Sequence, residues 1–205
     1  MAYASSEPVG AAVPTLELKI VVAGGFGVGK TTMVATLSEI KPLTTEEVLT
    51  DAGRGIDDLS AVENKTTTTV AMDFGRITFH DPRRPMILFL FGAPGQERFW
   101  FTWPDLSYGA VGVVVLADTR RLEDSFAAVN YFEQKQTPFV VAVNEFDGAA
   151  YRYSPDEVRQ ALELTPQTPV ITCDVRQRTS ARDVLIALVE HSLKRRRLAT
   201  SGALT

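Results

Sequence analysis

The chain has 205 residues, with 21 Lys and Arg against 25 Asp and Glu, a net charge of −4, and 45% hydrophobic residues. That length suits one domain, and the composition is that of a globular protein rather than a disordered one. The acidic balance argues against a general nucleic-acid binder, and no apolar run reaches the length of a membrane helix. The single cysteine, Cys173, excludes an internal disulfide and fits a reducing, cytoplasmic setting.

Residues 1–14 are small, polar and dotted with Pro and Gly, and read as a mobile leader before a domain over 15–194 and a basic, mobile tail over 195–205. LELKIVVAG (16–24) starts by alternating and turns fully apolar, as a strand entering a covered sheet does. A glycine-rich turn follows, and then Met33, Val34, Leu37 and Ile40 recur at helical spacing. Residues 41–68 show no sustained period and read as a long functional loop. VAMDFGRITFH (70–80) alternates like a strand. MILFLFG (86–92) reads as a buried one, and the two form an antiparallel pair at one edge.

The second half repeats strand and helix. Strands fall at 111–117, 139–144 and 169–173. Leu122, Phe126 and Val129 mark one helix face. Ser154 and Glu157 form a capping box with Pro155 at the first helical position, and Ser180 with Asp183 signals a last helix start. The pattern predicts an α/β fold: a mainly parallel six-stranded sheet with one antiparallel edge strand and helices on both faces. Ligands in that architecture bind beyond the carboxyl ends of the strands.

Gly24-Gly25-Phe26-Gly27-Val28-Gly29-Lys30-Thr31 matches G-x-x-x-x-G-K-[ST] between a predicted strand and a predicted helix. Glycines let the backbone curl so that successive N–H groups cradle phosphate oxygens, and the helix N-terminus adds positive potential. Lys30 reaches the β- and γ-phosphates, the Thr31 hydroxyl ligates Mg²⁺, and Thr32 continues the phosphate contacts. After the strand at 139–144, Asn144 and Asp147 stand in N-x-x-D spacing. A carboxylate there accepts the two N–H donors of a guanine edge, whereas adenine presents the opposite polarity.

At these motifs the chain resembles the Ras-like small GTPases of the P-loop NTPase class, over residues 16–193. The resemblance implies binding of GTP and GDP with Mg²⁺, slow GTP hydrolysis, and signalling through two switch loops. The family's base motif carries Lys where this chain has Glu145, which weakens stacking over the purine. Cys173 and Asp174 fall where the family's last loop meets the base through its backbone. Gly92-Ala93-Pro94-Gly95-Gln96-Glu97 is similar to the family's D-x-x-G-Q-E. By that resemblance Gly95 donates its N–H to the γ-phosphate and Gln96 orients the attacking water. Gly92 stands in place of an Mg²⁺-supporting aspartate. Either Mg²⁺ binds more weakly, or an acid of the long loop such as Asp51, Asp57 or Asp58 replaces it. The first switch holds one Thr ahead of the strand at 70–80, which the register assigns to Thr69, with Thr68 in reserve, as a further Mg²⁺ ligand.

Phe99-Trp100-Phe101-Thr102-Trp103 sets four aromatics after Gln96, serving core packing and a partner surface. The chain looks most like the conservon-encoded small GTPases of actinobacteria and is related to the gliding-polarity GTPase. That resemblance implies a roadblock-fold regulatory partner. No arginine finger stands out; Arg54 and Arg76 qualify by charge alone. Lys194 to Arg197 favour a helix C-terminus, with at most weak contact to the inner membrane surface. His80 and His191 lack companions for zinc. Three rival readings stay open: a nucleotide-bound interaction module with little or no hydrolysis, an ATPase of similar fold, and a membrane-recruited adaptor.

Overall fold

The computed structural model describes residues 13–49, 68–147 and 151–202. Seven strands form one sheet: β1 (Leu16–Gly24), β2 (Leu43–Leu49), β3 (Thr68–Phe79), β4 (Met86–Gly92), β5 (Gly112–Ala117), β6 (Phe139–Asn144) and β7 (Val170–Cys173). Their order is β2-β3-β4-β1-β5-β6-β7. The pairs from β4 to β7 are all parallel, while β3 runs antiparallel to both β4 and β2. The fold is the α/β arrangement of a P-loop NTPase.

All six strands expected from the sequence are present, and β2 is a seventh. It lies inside the segment read as a loop, so the antiparallel β3 sits one strand in from the edge. LTTEEVL lacks an alternating apolar face, and it is the ladder to β3, from Leu43↔Phe74 to Leu49↔Thr68, that makes it a strand.

β1 explains the layering. Its last five residues are buried on both faces. Ile20 and Val22 meet Met33, Val34 and Leu37 of α1 (Lys30–Leu37) and Ala181, Val184 and Leu188 of α5 (Arg178–Gly202). Val21 and Ala23 point the other way, into the core shared by Trp103 of α2 (Trp103–Ser107), Val129 and Phe132 of α3 (Phe126–Gln134) and Val158 of α4 (Pro155–Ala161). Helices thus cover both faces, as a near-continuous apolar strand demands. The Ser154–Glu157 capping box forms in both directions at the start of α4.

Two helix starts differ from the sequence reading. A 3-10 segment spans Thr119–Ser125, so Leu122 precedes α3, whose buried face is Ala128, Val129 and Phe132. Helix α5 begins at Arg178, not at Ser180. The Ser180 hydroxyl instead accepts the Asp174 N–H at 3.0 Å. The basic run Lys194–Arg197 lies within α5, which continues to Gly202 rather than ending at that run.

Candidate functional site

The carboxyl ends of β1, β4, β5, β6 and β7 share one rim. The register pairs Val22 with Gly92, Gly24 with Leu116, Ala117 with Val143 and Asn144 with Cys173. Between β1 and α1 the chain turns through Gly25–Gly29. Gly29 caps α1 at φ 106°, a left-handed conformation that an L side chain resists, and a Cβ there would lie 2.8 Å from the Asn144 amide. The turn is therefore glycine for both conformation and space. Val28 is different: its side chain is buried in the core, so only its backbone faces the loop.

Lys30 closes the loop on itself. Its amine donates to the carbonyls of Gly24 at 3.0 Å and Gly25 at 2.5 Å. Burial pushes the amine down to about 8, partly offset by the charge of Asp73. A half-buried ammonium held by two carbonyls on the floor of a cleft can donate its remaining N–H to an anion. The cleft is lined by Phe26, Lys30, Thr31, Thr32, Asp73, Gly95 and Gln96. Phe26 itself is 63% exposed at its rim.

Asp73 is the residue that sequence reasoning missed. It lies mid-strand on β3 directly opposite Gly92, is 7% exposed, and accepts the Thr31 hydroxyl at 2.6 Å. A Cβ on Gly92 would stand 2.9 Å from the Asp73 carboxylate. The neighbouring strand thus sets a carboxylate in the space that a side chain at the end of β4 would enter. Asp51, Asp57 and Asp58, the acids of the long loop singled out from the sequence, lie outside the described residues. The signal in the sequence was an acid and a glycine, Asp73 and Gly75, on the inward-facing alternation of β3. Thr69 also lies in β3, paired with Val48 and four residues from Asp73, about 13 Å along an extended strand.

Gly95 presses onto the phosphate loop, where a Cβ would meet the Lys30 amine at 2.6 Å and the Gly25 carbonyl at 2.7 Å. Gln96 follows at the start of a 3-10 segment (Glu97–Thr102), and its carboxamide oxygen accepts Arg98 Nε at 2.9 Å. Of the aromatic run, Phe99 and Trp103 are buried and Phe101 is 61% exposed. The Trp103 indole donates to the Pro94 carbonyl at 3.2 Å and stacks on Phe132 at 5.9 Å. It thereby ties the Gly95–Gln96 loop to the core.

At the far end of the rim Asn144 is a clasp. It is 5% exposed, donates to the Val28 carbonyl at 3.0 Å and accepts the Val175 N–H at 3.2 Å. One side chain thus joins the phosphate loop, β6 and the turn after β7. Asp147 stands outside it with its carboxylate free of the core. Glu145 pairs with Arg152 at 3.1 Å, and its N–H donates to the Cys173 carbonyl at 2.7 Å. Cys173 is buried and its thiol is pushed up to about 12 by burial and by the charges of Asp174 and Glu145. The Asp174 N–H is engaged by Ser180, so that backbone donor is already used.

Of the two arginines singled out by charge, Arg54 lies outside the described residues, and Arg76 pairs with Glu39 at 3.0 Å, three residues along β3 from Asp73. Arg121 adjoins the phosphate loop, donating to the Phe26 carbonyl at 3.0 Å. A break in the 3-10 segment, with Arg121 at φ −147° and ψ 57°, turns this side chain toward the loop.

Residues 22–195 match a family described as a conserved hypothetical ATP binding protein. The chain belongs to that family. It is a nucleotide-binding protein of the P-loop class. It is also 29% identical over 133 residues to an uncharacterized protein of Methanocaldococcus jannaschii, covering 64% of this chain and 71% of that one. Among solved structures it is similar to the cytosolic domain of the T. maritima FeoB iron transporter. The GDP form matches with a TM-score of 0.60 at 16% identity over 88% of this chain, and the apo form with 0.57 at 17% over 86%. The chain spans 65% and 64% of those two structures, less than two thirds of either. At such identities the likeness is one of fold. No helix among the described residues is long and apolar enough to cross a membrane.

Proposed function

We propose that this protein is a guanine-nucleotide switch that binds GTP and GDP with Mg²⁺ and hydrolyses GTP slowly. The observation that carries this reading is the Asn144 clasp, which ties the loop holding Lys30 to the strand end bearing Asp147. A phosphate chain on Lys30 and a purine at Asp147 are then two ends of one ligand. The GDP form of the FeoB domain is consistent with it. The family's description names ATP instead, and the exposed carboxylate of Asp147 is the reason to prefer guanine: it suits two N–H donors and repels the acceptor edge of adenine.

Mg²⁺ fits the residues present. Thr31 and the buried Asp73 carboxylate share a hydrogen bond at the cleft floor, and Mg²⁺ is commonly held by one carboxylate with substrate phosphates and water. Bound there, the ion would neutralise charge on the phosphates. Lys30 and the loop amides hold the β- and γ-phosphates, Gly95 supplies its N–H, and Gln96 orients water once its carboxamide leaves Arg98. By the same resemblance Thr69 is a further ligand for the ion. Cys173 and Asp174 contribute, at most, the form of the turn around the base.

The contact of Gln96 with Arg98 favours a second reading, a nucleotide-bound module with little turnover. By resemblance, the partner of either is a roadblock-fold protein, and the exposed Phe26 offers it an apolar grip at the cleft rim. The test is to identify the nucleotide released on denaturing the purified protein, followed by single-turnover hydrolysis of GTP. Guanosine nucleotide and phosphate release lost in Gln96→Ala are expected. Released ADP or ATP overturns the guanine reading, and bound GTP without phosphate release leaves the module.

A further inference from the structure

Asp147 does not stand alone. Its side chain is 84% exposed, yet both its oxygens are engaged by one guanidinium. Arg176, in the turn between β7 and α5, donates through Nη1 to Oδ2 and through Nη2 to Oδ1 at 3.1 Å. The same guanidinium is anchored on Asp174, with Nε to Oδ1 and Nη2 to Oδ2 both at 2.9 Å, and the Arg176 N–H adds a third bond at 2.9 Å. Together these contacts hold the Asp147 and Asp174 carboxyls below the usual carboxylate range.

A guanidinium fork and a guanine edge are chemically alike. Each presents two parallel N–H donors at the spacing of a carboxylate. Guanine would offer its ring N–H and its exocyclic amine to the two oxygens that Arg176 now holds. We infer that Arg176 is an internal competitor for the base-reading carboxylate, one that stands in for guanine and lowers its affinity. The inference rests on the guanine reading of Asp147 and adds what occupies that carboxylate while no base is bound. A base with two donors replaces both bonds and releases the fork. A base with one donor and one acceptor, such as adenine, leaves Asp147 half-satisfied and cannot displace it. Arg176 loses little on release, because its three bonds to Asp174 lie within its own turn. Asp174 acquires a role here that its backbone, already committed to Ser180, does not have.

Exposed ion pairs are weak and screened by salt, which sets the size of the effect. Displacement of fluorescent GDP should show Arg176→Ala binding GDP about three- to tenfold more tightly than the parent at low salt. The gain should shrink toward nothing at 0.5 M NaCl. ADP binding should not improve. Arg176→Lys, which keeps the charge but loses the fork, should fall between. In an Asp147→Asn background, Arg176→Ala should leave GDP binding unchanged, and thermal melts should show each variant folded. Unchanged GDP affinity in Arg176→Ala reduces the contact to a surface ion pair and overturns the inference while the guanine reading stands. Weaker GDP binding overturns it by making Arg176 a support for the base. A parent protein that takes ADP in preference to GDP rejects both.

Discussion

Asp73 and Gly92 face each other across β3 and β4 and share one space. An aspartate at 92 and one at 73 would compete for the same space, so the chain carries only one of them. Asp73→Ala should therefore reduce the slowing of GDP release by Mg²⁺, read against EDTA, by at least tenfold, as loss of a metal-supporting carboxylate does. Gly92→Asp alone should destabilise the fold by about 1–3 kcal/mol, because it sets two carboxylates against each other. The double variant should recover the Mg²⁺ effect. Cys173 gives a second prediction at this scale. Its thiol, at about 12 against 9.0 for an ordinary one, keeps its proton in the folded state where the unfolded chain has lost it. The unfolded state is then favoured as pH rises above about 9, so stability falls there. Iodoacetamide at pH 8.5 should label the native protein less than a tenth as fast as the urea-unfolded chain. The phosphate loop was legible because its chemistry lies in eight consecutive residues. Asp73 and Arg176 were not, since each acts across a strand pair or a turn whose register the sequence alone leaves open.

Elements were legible where local pattern and burial agree. β1, β4, β5 and β6 are apolar enough to declare themselves, and the capping box at Ser154 marks the start of α4 to the residue. β2 was not legible, because an edge strand needs only backbone pairing on one side and carries no inward apolar period. The start of α5 was misplaced because Ser180 serves the Asp174 N–H rather than its own helix. Ser154→Ala should cost about 1 kcal/mol in urea unfolding and leave GDP affinity within twofold, since the capping box serves only its helix. Trp103→Ala should cost about 3–5 kcal/mol, because a buried indole, its stacking on Phe132 and its bond to Pro94 go together. It should also raise KM or lower kcat for GTP, because the loop carrying Gly95 and Gln96 loses its tie to the core.

For the whole molecule, a ligand that binds only the folded chain must raise its stability by mass action. At a hundredfold over Kd, GDP with Mg²⁺ should contribute about 2.7 kcal/mol, or about 5–11 °C in Tm for a chain of this size. Lys30→Ala should lose that shift, and a melt with GDP against ADP would rank the two bases directly. The layered sheet and the placing of the site along its rim followed from strand–helix alternation. The choice between readings did not, because it depends on how far-apart side chains meet: Asn144 with Val28, Asp147 with Arg176.

The chain holds two tryptophans, Trp100 and Trp103, and both fall within seven residues of Gln96, with ring centres 5.2 Å apart. Intrinsic fluorescence of this protein is consequently a local optical probe of the segment Gly95–Trp103. Exchanging one bound nucleotide for another in a cuvette would report on that segment in real time, with no dye attached and no competing indole elsewhere to dilute the signal.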